Sequence, residues 1–378
     1  MRKQNSIILL MSLLMAGTLF AQSPTQQSAS SSLKPVGINL SLWKGISTQT
    51  ADSIGTTIFN LGFFSSQNNL TGLGINILGS NTRQNVKGIQ LAGFSNSVGH
   101  RMQGIQLSGI TNINKHGYRG LSAAGMVSIN GNEGVGMLAS GLVSITGENN
   151  RGITAAGLMN FIGDNGSGLL LTGIANITGN NYHGLTLSGL MNVAGGSSAG
   201  VQLGGLLNIT GEDMQGLQLS GIGNVAGREL KGVQIGLLNM ASRAKGMQIG
   251  LFNYYKEKFD GLQLGLVNAN PHTHIQLLVS GSNTTKLNLG ARFKNNKLYT
   301  ILGVGAPYFD FNDKFSGAVF YHAGAELPLY KRLFVSGDLG YSHIETFRKN
   351  EVNCPARLYS LQTRINMEYR LTENVGLF

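Results

Sequence analysis

Seven histidines, one cysteine and a scatter of carboxylates are the side chains of this 378-residue chain that could do chemistry. His272 and His274 are two apart, so on a strand they would share a face and could share a metal. A metal centre needs further ligands, and Pro271 beside the pair marks a connecting loop. His100, His116 and His183 fall in variable, polar segments and read as exposed. Glu133, Glu148, Asp164, Glu212 and Asp213 recur at related places and could suggest a cation site. Calcium wants several oxygens, and the G-G-x-G-x-D pattern of calcium-binding β-rolls is absent. These acids read as solvated turns. The many G-x-x-x-x-G matches lack the Lys and Ser/Thr that complete a phosphate loop. No paired acids and no nucleophile with a base stand out. Cys354, the only cysteine, can form no internal disulfide. The expectation is a protein that is not an enzyme and holds neither metal nor cofactor.

What would position any of these residues is a repeat. Glycines stand 16 apart at Gly88, Gly104, Gly120, Gly136, Gly152, Gly168, Gly184, Gly200, Gly216 and Gly232. A second glycine follows each of the first nine by five, from Gly93 and Gly109 to Gly221. Eight residues on stands Asn or Ser: Asn96, Asn112, Ser128, Ser144, Asn160, Asn176, Asn192, Asn208 and Asn224. The phrase then tightens to G-x-Q-x-G-L-x-N, ending at Asn239, Asn253 and Asn268. A fixed short period marks a repeat architecture. Between the glycines, aliphatic and polar or small residues alternate, as in Ile105-Gln106-Leu107-Ser108, and period two means strand. Each interior glycine costs a helix about 1 kcal/mol relative to alanine. The unit is β.

Three arrangements compete. In a parallel β-solenoid each unit is a coil about 4.8 Å above the last. The second glycine would turn one corner, the polar stretch after the Asn would form the wide one, and the Asn column would become a ladder of stacked amides. In an up-and-down transmembrane barrel each unit is a strand, and its alternation and length suit a tilted spanning strand. Antiparallel strands should repeat as hairpins, with twice the period. The later units also lose a residue between glycine and Asn, which would turn half a continuous strand to the wrong face. A meander of short hairpins would need turns at Leu158, Ile174 or Leu190, and aliphatic residues form poor turns. The fold class predicted is therefore all-β: a Gly-rich 16-residue-repeat β-solenoid followed by an antiparallel, outer-membrane-barrel-like region. One large up-and-down transmembrane β-barrel is the alternative.

In chain order, residues 1–21 read as a signal peptide: Arg2 and Lys3, an apolar run from Ile7 to Phe20, then Ala21. Residues 22–35 are a polar leader of disordered composition. Residues 36–87 hold N-terminal strands and a capping unit, with Gly72 opening a degenerate first repeat. Residues 88–270 are the glycine-rich region. Residues 271–378 change character, with longer alternating strands at 275–280, 286–293, 298–306, 316–329, 333–343 and 356–371. Aromatics such as Tyr299, Tyr321, Tyr330, Tyr341, Tyr359 and Tyr369 concentrate there, as outer-membrane barrels use at their interfaces. Phe378 fits the terminal aromatic of such barrels.

Charged residues are only 12% of the chain, against about 25% in ordinary soluble domains. The net charge is +11, which suits proximity to anionic lipopolysaccharide. No basic cluster is interleaved with aromatics as strand binding requires, so nucleic acid is not an expected partner. The phrase G-x-Q-x-G-L-x-N at Gly232–Asn239, Gly246–Asn253 and Gly261–Asn268, with the opening Ile38-Asn39-Leu40-Ser41-Leu42-Trp43, resembles the glycine-rich surface-repeat proteins of Gram-negative bacteria. That resemblance implies export and a place in the outer membrane or on the cell surface, and it carries no catalytic residues. The function expected is a non-enzymatic surface protein with a structural or adhesive role, whose partners are the outer membrane and an unidentified glycan or protein. An outer-membrane channel or transport barrel is the alternative.

Overall fold

The computed structural model describes residues 35–43, 45–48, 55–281, 285–295, 297–308, 314–348, 356–372 and 375–378. The stretch read as a signal peptide, residues 1–21, nearly all of residues 22–35, and Cys354 lie outside them. The chain is all-β, with a β-solenoid of about 13 turns followed by a curled antiparallel sheet that forms half a barrel.

One turn shows how the repeat folds. Strand Tyr182–Ser188 ends at a bend at Gly189 and Leu190, and strand Met191–Ala194 runs back. A polar corner at residues 195–197 then leads into strand Ser198–Gly204 of the next turn. Each strand pairs in parallel with its equivalent one repeat later: Gly184 lies opposite Gly200, and Asn192 opposite Asn208. Like stacks on like along the whole axis. An up-and-down barrel or a meander needs antiparallel neighbours, so neither alternative is formed by the repeats.

The two glycine columns are needed for different reasons. The first has φ between +113° and +152° in every turn from Gly72 to Gly261, a region essentially closed to other residues. The second has ordinary φ but no room: a Cβ on Gly189 would lie 2.0 Å from the carbonyl oxygen of Gly173 in the turn below.

The stack starts well before Gly88. Gly72 pairs with Gly88, strand Thr56–Gln67 pairs in parallel with Asn69–Thr82, and Pro35–Trp43 pairs in parallel with Thr56–Gln67. The N-terminal strands are thus turns of the same solenoid. Near the other end the turns shorten to 14 and 15 residues. There the polar corner is drawn into continuous strands, Gly223–Ile235 and Leu238–Ile249, with a register shift between Ala226 and Glu229.

The six longer strands follow as His274–Ser280, Leu287–Asn295, Leu298–Tyr308, Lys314–Tyr330, Leu333–Arg348 and Ala356–Arg370, each antiparallel to the next. A two-residue strand, Gly376–Leu377, closes the order on the last of them. Among the described residues no N-terminal strand joins this sheet; those strands are held in the solenoid, so the sheet stays open. It meets the last turn through the Tyr321 hydroxyl, which donates to the Gly265 carbonyl at 2.9 Å, and through the Asn295 amide on the Asn268 carbonyl.

Candidate functional surface

Counting from the first glycine as zero, positions +2, +4, +8, +10 and +14 of a 16-residue turn point inward and are mostly buried. The first four are mostly polar or small, whereas +14 often carries a large apolar residue such as Met102, Tyr118, Tyr182 or Met214. The aliphatic positions +1, +3, +6, +7 and +9 point outward. The solenoid therefore has a largely polar interior and an apolar exterior.

The interior is held chiefly by two long amide ladders, with a shorter one, Asn39 to Asn60 to Asn76, in the first turns. In the asparagine column, Asn96 donates to Asn112 at 3.1 Å. The ladder lapses where Ser128 and Ser144 stand, and Asn112 turns to Ser122 and the Ala123 carbonyl instead. It resumes at Asn160 and runs through Asn176, Asn192, Asn208, Asn224, Asn239 and Asn253 to Asn268 with spacings of 2.8–2.9 Å. The second amide hydrogen serves the backbone, as in Asn192 to the Leu203 carbonyl at 2.9 Å. At the foot of each run, the side-chain oxygens of Asn96 and Asn160 are buried without a donor. The column member one turn below each is a serine (Ser80 or Ser144), too short to reach.

Sequence reasoning passed over a second column at +2. Gln263, Gln248, Gln234 and Gln218 each donate to the glutamine one turn below, ending on Gln202, at 2.7–2.8 Å. Gln106 likewise donates to Gln90 at 3.1 Å. This ladder donates toward the N-terminal end, whereas the asparagine ladder donates toward the C-terminal end, so their dipoles oppose. The signal was present in the recurrent Gln, but Ser122, Leu138, Thr154, Leu170 and Thr186 interrupt it. Apolar interior residues gather beside the wide corner, among them Met102, Tyr118, Leu138, Leu170, Tyr182 and Met214. Burial pushes the Tyr118 and Tyr182 phenols above their ordinary range.

The charged groups of the solenoid are set apart from all this. From each first-column glycine, Gly72 through Gly261, the next nine residues include no Asp, Glu, Lys or Arg. The charges stand at the wide corner and on the residue just before the glycine. Glu133 reaches Arg101 at 3.9 Å, and Arg228 binds Asp213 through Nε at 2.7 Å and Glu212 at 3.6 Å. The hydrogen bond from Arg228 holds the Asp213 carboxyl below the usual range. Asp164 accepts from Asn180 at 3.1 Å, and Glu148 lies exposed in the same column. The rings of His100 and His116 stack with centroids 4.2 Å apart, while His183, His272 and His274 are exposed. Among the described residues no three His, Cys, Asp or Glu side chains gather as metal ligands.

The C-terminal sheet is inverted in the same way, with charges. Its concave face buries Arg292 between Glu326 at 2.7 Å and Glu368 at 2.8 Å. Lys294 and Arg370 also bind Glu326, and Arg370 binds Glu368 at 3.0 Å. A second group centres on Asp338, which accepts from Tyr299 at 2.8 Å and Arg364 at 2.8 Å and lies 3.1 Å from His322. The convex face is apolar and open: Leu277, Leu361 and Ile365 are 86%, 83% and 80% exposed, against 2% for Glu326 and 5% for Arg292. No helix among the described residues is long and apolar enough to cross a membrane, which leaves strands unaddressed.

No family model, curated protein or solved structure matches this chain.

Proposed function

We propose that this chain is a non-enzymatic, exported protein of the outer membrane or cell surface, held in the bilayer by its C-terminal sheet and serving a structural or adhesive role through its repeats. The observation that carries the reading is the inversion of that sheet: aliphatic side chains on the convex side, paired charges on the concave side. In water such a convex face would be a large exposed apolar patch. Against acyl chains it is the ordinary exterior of a membrane β-sheet, whose inner face is polar. The aromatic-rich strands and the resemblance to glycine-rich surface-repeat proteins support the same reading. Its partners are then the outer membrane with its lipopolysaccharide and a surface glycan or protein; nucleic acid is not among them.

A channel or transport barrel is a second reading, favoured by the charged concave face, which resembles a lumen lining. It falls to the C-terminal sheet alone, because the repeats are wound into coils. Fractionation of cells producing the full chain tests the first reading. The protein should remain with the membranes through an alkaline carbonate wash, and release into the wash would count against it. Stepwise conductance of the purified chain in planar bilayers would favour the channel.

A further inference from the structure

The solenoid is a two-ended object in cross-section. One end is the narrow bend, with the second glycine column flanked by outward aliphatic residues such as Leu158, Leu190 and Leu206, each about 40% exposed. A shallow apolar groove of about 980 Å³ runs along this edge, lined by Gly125, Gly141, Gly157, Gly173, Gly205 and Gly221 among others. The other end is the wide corner, where the charges stand. Nothing charged lies between the first-column glycine and the bend on any turn from Gly72 to Gly261.

We propose that the solenoid lies edge-down in one leaflet of a lipid bilayer, its glycine bend toward the midplane and its charged corner among the headgroups. The inference rests on the membrane reading above and states which surface of the repeats meets lipid.

Three observations point to acyl chains rather than a protein. The first is length. Five residues separate the first glycine from the bend; at about 3.3 Å each they reach roughly 16 Å, close to half of a hydrocarbon core about 30 Å thick. The second is the single charged end. A spanning element needs polar groups at both membrane surfaces, whereas segregation into one apolar and one charged side is the pattern of a segment that lies in the interface. Lys87, Arg119, Arg151, Lys231 and Lys245 stand just before the first glycine, where the headgroups would begin. The third is monotony. Near-identical columns repeat at every turn, so a protein partner would find no unique register, while acyl chains need none.

The unmodified chain carries its own probe. Trp43, the only tryptophan, is 53% exposed. It stands two residues past Ser41, which aligns through Gly62 and Asn76 with Ala92, and this register puts it at the bend edge of the first turn, its ring 5.6 Å from that of Phe64. In vesicles of phosphatidylethanolamine and phosphatidylglycerol, its emission should shift to the blue. It should be quenched by acyl-brominated lipid and not by iodide. Nitroxides at Leu158→Cys and Leu206→Cys on the edge, and at Asn180→Cys on the corner, all in a Cys354→Ser background, extend the test. The ratio of oxygen to nickel-complex accessibility should be severalfold higher at 158 and 206 than at 180. Edge labels as open to the nickel complex as the corner label would overturn the proposal. So would edge labels shielded from both reagents and broadened by each other without lipid, because a second copy would then cover the edge. A label at Leu361→Cys separates the two readings. If it lies in lipid while the edge labels lie in water, only this inference fails; if all lie in water, the membrane anchor fails with it.

Discussion

The solenoid and the C-terminal sheet both turn polar groups inward and aliphatic groups outward, yet they satisfy those polar groups by different means. The solenoid uses neutral amides, with Asn176 on Asn192 and Gln234 on Gln218. The sheet uses ions, with Arg292 between Glu326 and Glu368. Strand direction explains the difference. Parallel in-register stacking sets each residue over its own kind, so an inward Arg or Glu column would place like charges about 4.8 Å apart. Only a group that both donates and accepts can bond to copies of itself, which favours neutral side chains such as Asn, Gln, Ser and Thr. Antiparallel pairing sets unlike residues side by side, and cation can meet carboxylate.

That contrast can be broken at several points. The largest effect is expected at Arg292→Ala, which leaves Glu326 and Glu368 facing each other in a buried site; removing one partner of such a cluster costs about 3–5 kcal/mol. Denaturant titration of the full chain in detergent would measure it. A loss below that of a surface alanine change would mean that Lys294 and Arg370 carry the cluster without it.

Next comes Gly184→Ala. Its φ of +135° and the Gly168 carbonyl 2.1 Å from the added Cβ should cost about 2–3 kcal/mol. A glycine of the sheet with open surroundings, Gly337, gives the control: Gly337→Ala should be nearly silent, since the nearest atom to its Cβ would lie 3.9 Å away.

Within the ladder, Asn176→Ala or Asn192→Ala should cost about 1 kcal/mol or more, because the amides above and below lose partners. Unchanged thermal stability in both variants would remove the ladder from the account of what holds the turns together.

The smallest effect concerns pH. Asp213 has a folded pKa below its unfolded value, so its contribution is present above the unfolded pKa and lost as the pH falls through the folded one. The pair with Arg228 is solvent-exposed, and such pairs contribute little. Asp213→Asn should therefore flatten the acid limb of the stability profile only slightly. A large change would mean the corner is less open to water than its exposure indicates.

Much of the fold is legible in the residues. The 16-residue period, the bend at the second glycine and the parallel stack follow from Gly-x-x-x-x-Gly recurring without a hairpin signature. The six C-terminal strands follow from longer alternation between turns. The asparagine column is plain by inspection. The glutamine column is harder, because it reaches across turns that carry Leu138 or Leu170 instead, and only the coil shows which members touch. The charged cluster was invisible for a simpler reason: Arg292 and Glu368 are 76 residues apart and occupy different strands.

By itself the sequence determined the period, the strand character and the place of the corners. Each of these depends on local preference, and stacking repeats the same local problem in every turn. It also determined that the strands have two unlike faces. Which face is inside was left to the tertiary structure. Alternation at Ile105-Gln106-Leu107 is the same whether Gln106 or its neighbours point inward, and only closing the coil puts the glutamine 0% exposed against Gln90 in the turn below. A buried amide is tolerable there because the stack supplies a partner at each rung, and no single repeat contains that partner.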